Sequence, residues 1–139
     1  MIAAPGRHRC VLKILRSQEG VAALAGAEAQ RWNDIWGISA QCVIILGAPA
    51  VLLPLLHVLG AEEWEQHGQL VREAVRHMAD RGYCHGDLVD GTGRVKAHHF
   101  ALARREDGAT RVVLLDLSDV KRMEPGQAWA RMSRALGFV

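Results

Sequence analysis

The sequence predicts an α+β fold, on three observations. Two stretches, Gln41 to Leu56 and His99 to Leu115, read as β-hairpins. Glu62 to Arg81 reads as one long amphipathic helix. The coarse element order is β, α, β, β, α, loop, β, β, α, which lacks the strict alternation that a parallel α/β sheet requires.

Taken in order, RCVLKIL from Arg9 to Leu15 is a short apolar strand with Lys13 in its middle. Ser17 is an N-cap candidate with Glu19 in the first turn. The Ala-rich run that follows favours a helix stopped at Gly37. Val21, Leu24, Glu28 and Trp32 recur at helical spacing, so Glu28 is expected to share an apolar face. Gln41 to Leu46 is β-branched and apolar, Gly47-Ala48-Pro49 can turn the chain, and Val51 to Leu56 can return. In the long helix, Trp64, Val71, Ala74, Val75 and Met78 form one stripe. Its glutamates gather at the start and its basic residues at the end, as the macrodipole favours, and Gly82 stops it.

Tyr83 to Leu88 and a polar, Gly-containing loop come next, then two strands joined at Glu106-Asp107-Gly108. Asp116 stands at the exit of the second strand, and Gln127 to Leu136 reads as a terminal helix stopped at Gly137. Trp32, Trp36, Trp64 and Trp129 are expected in the core.

Bulk properties narrow the function. A chain of 139 residues fits one domain, and a net charge of +2 gives no case for a nucleic-acid partner. Cys10, Cys42 and Cys84 show no CxxC spacing, so reduced, intracellular thiols are expected rather than a disulfide framework. The first residues lack the apolar core of a signal peptide. The apolar stretch from Cys42 to Leu59 carries Gly47, Pro49 and Pro54, so a buried strand pair is expected there and no membrane span.

Four charged residues fall in an order that carries chemistry: a strand lysine, a helix glutamate, an aspartate in CHGDL and an aspartate in VVLLDLSD. With GYCHGDL and RVVLLDLSD in these positions, the chain resembles the protein-kinase-like superfamily from about Val11 to Asp119, in particular its small-molecule branch with an HGD catalytic loop, akin to aminoglycoside phosphotransferases. The resemblance implies a reduced kinase-like fold, with a small antiparallel-sheet N-lobe over residues 1–58 and a shortened helical C-lobe over 59–139. It implies ATP and Mg²⁺ as cofactors. Lys13 would meet the nucleotide phosphates and Glu28 would pair with Lys13. Asp87 would orient or deprotonate an acceptor hydroxyl, with His85 in the same catalytic loop, and Asp116 would hold the metal. Phosphoryl transfer needs positioning and charge neutralisation more than covalent help, which is why such residue types recur.

The motif is altered in places. Ser118 stands where the family has glycine, and Thr92 stands where it has a metal-binding asparagine. His99, just before the next strand, is the alternative ligand; imidazole suits softer ions than Mg²⁺. With 12 residues before Lys13 and about 20 after Asp116, neither a glycine-rich phosphate loop nor a large helical subdomain is expected within these 139 residues.

The leading expectation is a kinase-like transferase acting on a protein or small-molecule hydroxyl. The alternative is an inactive, pseudokinase-type binding module, with a partner or second copy covering apolar surface. A third reading is a metal-dependent hydrolase using His85, Asp87, His99 and Asp116. Of His98 and His99, strand alternation would let only one face the site.

Overall fold

The computed structural model describes residues 2–3, 9–15, 20–54, 56–105 and 107–138. The expected cap at Ser17 and Glu19 lies outside them, as does Glu106 of the expected turn. The architecture is mixed α+β with small, wholly antiparallel sheets. The chain divides into two compact units, Met1–Leu56 and His57–Val139.

In the first unit, β1 (Ile2–Ala3), β2 (Arg9–Ile14), β3 (Gln41–Ile45) and β4 (Ala48–Pro54) form one sheet in the order β1-β2-β4-β3. Lys13 of β2 lies opposite Val51 of β4. Helix α1 (Val21–Trp36) packs against β4 and is bounded by Gly20 and Gly37, both in the left-handed region that glycine adopts freely. Its buried face is Ala25, Glu28, Ala29, Trp32, Ile35 and Trp36. Leu24, expected on that face, is 45% exposed; the small Ala25 and Ala29 take the place against the sheet instead. The β3–β4 turn is tighter than expected. Leu46 and Gly47 make it, both at positive φ, as a two-residue hairpin demands, and Pro49 is already in β4 opposite Ile44.

In the second unit, β5 (His57–Val58), β7 (Phe100–Arg104) and β8 (Thr110–Leu114) form one sheet. β6 (Tyr83–His85) pairs with β9 (Val120–Arg122) in another. The expected helix from Glu62 to Arg81 is two helices, α2 (Ala61–Gln66) and α3 (Gly68–Asp80). His67 breaks them, leaving helical geometry just before the poor helix former Gly68. Val71, Ala74, Val75 and Met78 of α3 are buried as one stripe, while Trp64 sits on α2, edge-on to Phe100 at 4.7 Å. Helix α4 (Pro125–Leu136) packs against α3 and β6, burying Ala128 and Met132. Trp32 and Trp36 are core residues, but Trp64 and Trp129 are only half-buried. Trp129 is capped by the Arg76 guanidinium at 3.8 Å from its ring centre. No described helix is long and apolar enough to cross a membrane.

Candidate functional site

In the first unit, the pleat of β2 turns Lys13 towards α1, where Glu28 lies in the buried face. Lys13 Nζ meets Glu28 Oε1 at 2.6 Å. Glu28 is 1% exposed and its side-chain Oε2 has no hydrogen-bond partner among the described residues. A carboxylate so placed depends on its cation, because an unpaired charge in the core is costly.

In the second unit, β6 delivers His85, Gly86 and Asp87 to the mouth of the β6–β9 pair. The Gly86 N–H donates to Asp119 O at 3.0 Å, and a Cβ at Gly86 would come within 3.2 Å of that oxygen. Such closeness explains the glycine. His85 is buried, and both its ring nitrogens are committed. Nε2 lies 2.7 Å from Leu115 O, which can only accept, so Nε2 carries the proton. Nδ1 accepts from the Asp87 N–H at 3.0 Å. Burial pushes the imidazole's pKa below the ordinary value, against the opposing pull of the Leu115 carbonyl. With no lone pair left over, His85 ties the Asp87 turn to the end of β8, and proton transfer or metal ligation by it would cost one of these bonds.

Asp87 is met by Lys96, whose Nζ lies 2.6 Å from Oδ1. This cation, first by its hydrogen bond, holds the Asp87 carboxyl below the usual range. Lys96 was not singled out in the sequence. The two residues are nine apart across a polar loop, and no helical or strand period joins them. The loop folds back on itself through the Val89–Val95 bridge, with Asp90 Oδ1 accepting from Thr92 and Arg94, and Lys96 N–H reaches Leu88 O at 2.9 Å. The turn residues Asp90-Gly91-Thr92-Gly93 were the available signal.

His99 ends a single 3-10 turn, Ala97–His99, rather than starting a strand. His98 is exposed and His99 buried, so one of the two points inward, by helical rather than strand geometry. His99 Nδ1 lies 2.7 Å from Asp87 O, the His99 N–H donates to Lys96 O at 2.9 Å, and the Leu115 N–H donates to His99 O at 2.7 Å. Asp116 follows β8 in the left-handed region, φ 56 and ψ 61, uncommon for a residue with a side chain. Ser118 Oγ donates to its Oδ1 at 2.7 Å.

The result is a cluster in which one ligand atom each from Asp87, His99 and Asp116 lie within 4.8 Å of one another. Two carboxylates and an imidazole are a donor set that suits a divalent cation. His85 is not part of it.

An α+β chain with an ion-paired lysine in one unit and a carboxylate–imidazole cluster in the other is thus the class of protein defined here. Residues 2–92 match a family of unknown function (DUF5898), and the chain belongs to it. That span covers the first unit and the His85-Gly86-Asp87 turn but stops before Lys96, His99 and Asp116. No curated protein and no solved structure matches the chain.

Proposed function

We propose that this chain is a kinase-like domain that binds ATP with a divalent ion and transfers a phosphoryl group to a hydroxyl acceptor. The observation that carries this reading is the Asp87–His99–Asp116 cluster, with Asp116 on the left-handed residue after β8. The pairing of Lys13 with Glu28 supports it from the first unit. In this reading Asp116 and His99 hold the ion, and Asp87 orients or deprotonates the acceptor hydroxyl. The ion would offset phosphate charge. Lys96 holds the Asp87 carboxyl below the usual range, which suits it to orient the hydroxyl more than to act as a strong base.

The test is thermal-shift titration with ATP and Mg²⁺, followed by phosphate transfer to a panel of hydroxyl acceptors. Wild type should be stabilised and Asp116→Asn should lose the shift, while folding as well as wild type, since asparagine also tolerates left-handed backbone. Equal behaviour of the two proteins refutes the reading.

A second reading, a nucleotide-binding module without transfer, is favoured by one contact: Lys96 already occupies Oδ1 of Asp87. Nucleotide binding without phosphate transfer in wild type, and without any gain in Lys96→Met, would select it.

A further inference from the structure

We propose that the cation held by Asp116 and His99 is a first-row transition ion, Mn²⁺ in preference to Mg²⁺, with the imidazole of His99 as its nitrogen ligand. The inference rests on the ion site of the proposed function and concerns which ion fills it.

Three observations lead there. The first is the tautomer of His99. Its Nδ1 lies 2.7 Å from the Asp87 carbonyl, an oxygen that can only accept, so Nδ1 carries the proton. With Nδ1 as the donor, the nitrogen left to ligate a cation is Nε2. Metal-ligating histidines are commonly prepared in this way, with the other nitrogen donating to a carbonyl that fixes the ring and raises its basicity.

The second is burial. His99 is only 9% exposed, between the Asp87 backbone and the ring of His98 in edge contact at 4.6 Å. The ring is held in place before any ion arrives, so little ordering is left to oppose ligation.

The third is charge. Of the cluster's two carboxylates, Asp87 is already paired with Lys96 at 2.6 Å. The net charge offered to a cation is therefore close to that of one aspartate. Mg²⁺ dehydrates reluctantly and relies on hard, anionic oxygen. With one carboxylate paired to Lys96 and an imidazole beside the other, the site offers less of the anionic oxygen that Mg²⁺ uses and adds the nitrogen that a borderline ion uses.

The experiment is Mn²⁺ binding to the full chain, read by electron paramagnetic resonance with pulsed detection of ¹⁴N coupling, beside competition with Mg²⁺. Wild type should show a directly coordinated nitrogen and favour Mn²⁺ by roughly tenfold or more. His99→Asn should lose the nitrogen signal and most of the preference, and His98→Asn should keep both. The inference is overturned if Mn²⁺ does not bind, if no nitrogen couples, if the two ions bind alike, or if the signal survives in His99→Asn. Should His99→Asn fail to fold, the wild-type nitrogen signal and ion ratio decide alone. Nitrogen-ligated Mn²⁺ without nucleotide affinity would sink the kinase-like reading and leave this one standing. Asp116-dependent ATP binding with an all-oxygen ion would do the reverse.

Discussion

In the first unit the carboxylate of Glu28 is 1% exposed and meets the Lys13 ammonium inside the packing of α1 on the sheet. In the second unit the side chain of Asp87 is 32% exposed, and what fixes it is the backbone: its N–H is held by His85 and its carbonyl by His99. The first arrangement makes a charged pair part of the core. The second mounts a charged group on loops and keeps it near solvent. Damage to the first should therefore appear as lost stability, and damage to the second mainly as lost binding.

The sharpest way to break that contrast is Lys13→Met. It strands a buried carboxylate, and loss of one partner from a buried pair costs several kcal/mol; with Lys13 itself partly exposed, about 3 kcal/mol is expected. Urea unfolding followed by Trp32 and Trp36, in a background with Trp64→Phe and Trp129→Phe, reads the first unit directly. The double variant Lys13→Met/Glu28→Leu should recover most of the loss, because replacing both charges by apolar groups can be nearly neutral. If Lys13→Met unfolds like wild type, Glu28 is not a core charge and the comparison fails.

His85→Leu probes the other side. It fills the same space but leaves the Leu115 carbonyl and the Asp87 N–H without their partner. Stranding buried backbone groups costs about 1–3 kcal/mol, so roughly 2 kcal/mol is expected, read by Trp64 and Trp129. If the proposed ion binds at this cluster, it should bind more weakly as well, because the Asp87 turn is then free to move. Unchanged ion affinity would mean that the turn does not need its brace.

The same contrast explains how much was legible in the sequence. Lys13 and Glu28 stood out because regular elements carry them: a lysine in an apolar strand and a glutamate on an apolar helix face both violate their local pattern. Asp87 and Asp116 stood out by their apolar lead-ins, Tyr83-Cys84 and Val112 to Leu115. Lys96 did not, since its partner is reached through a loop fold that no period encodes. The break at His67 was hidden because the charged and apolar pattern runs on through it, and only backbone geometry separates α2 from α3. β9 was hidden for another reason: Val120–Arg122 is too short and too charged to read as a strand, and its pairing with β6 is a long-range choice. The alternation argued for His98 and His99 reached the right burial by the wrong geometry.

Gly86→Ala sharpens the comparison with a smaller push. The new Cβ would sit 3.2 Å from Asp119 O, a backbone atom that cannot rotate away. A shift of a few tenths of an ångström should suffice, at about 1 kcal/mol by analogy with mild overpacking. Because that shift opens the β6–β9 pair beside Asp87, ion affinity should fall by more than stability does. An equal effect on the first unit's tryptophans would argue against any division of labour between the units.

The smallest expected effect is one of acid. Glu124 caps α4 through two backbone bonds, from Gly126 N–H to Oε1 at 2.9 Å and from Gln127 N–H to Oε2 at 3.0 Å. These bonds hold its carboxyl below the usual glutamate value of 4.5. A folded-state pKa depressed below the unfolded one means that the unfolded chain binds the proton more readily. The cap's contribution is therefore complete above about pH 4.5 and is lost as pH falls through the lower, folded value. Asp87 and Asp90 are lowered too, so the second unit as a whole should weaken on the same acid side. The measurement is the difference between wild type and Glu124→Gln in Trp129-detected unfolding across pH 3 to 7. That difference should be largest at neutral pH and close towards pH 3, because protonated glutamic acid and glutamine cap alike. A gap that stays constant with pH would show that the carboxylate charge contributes nothing to the start of α4.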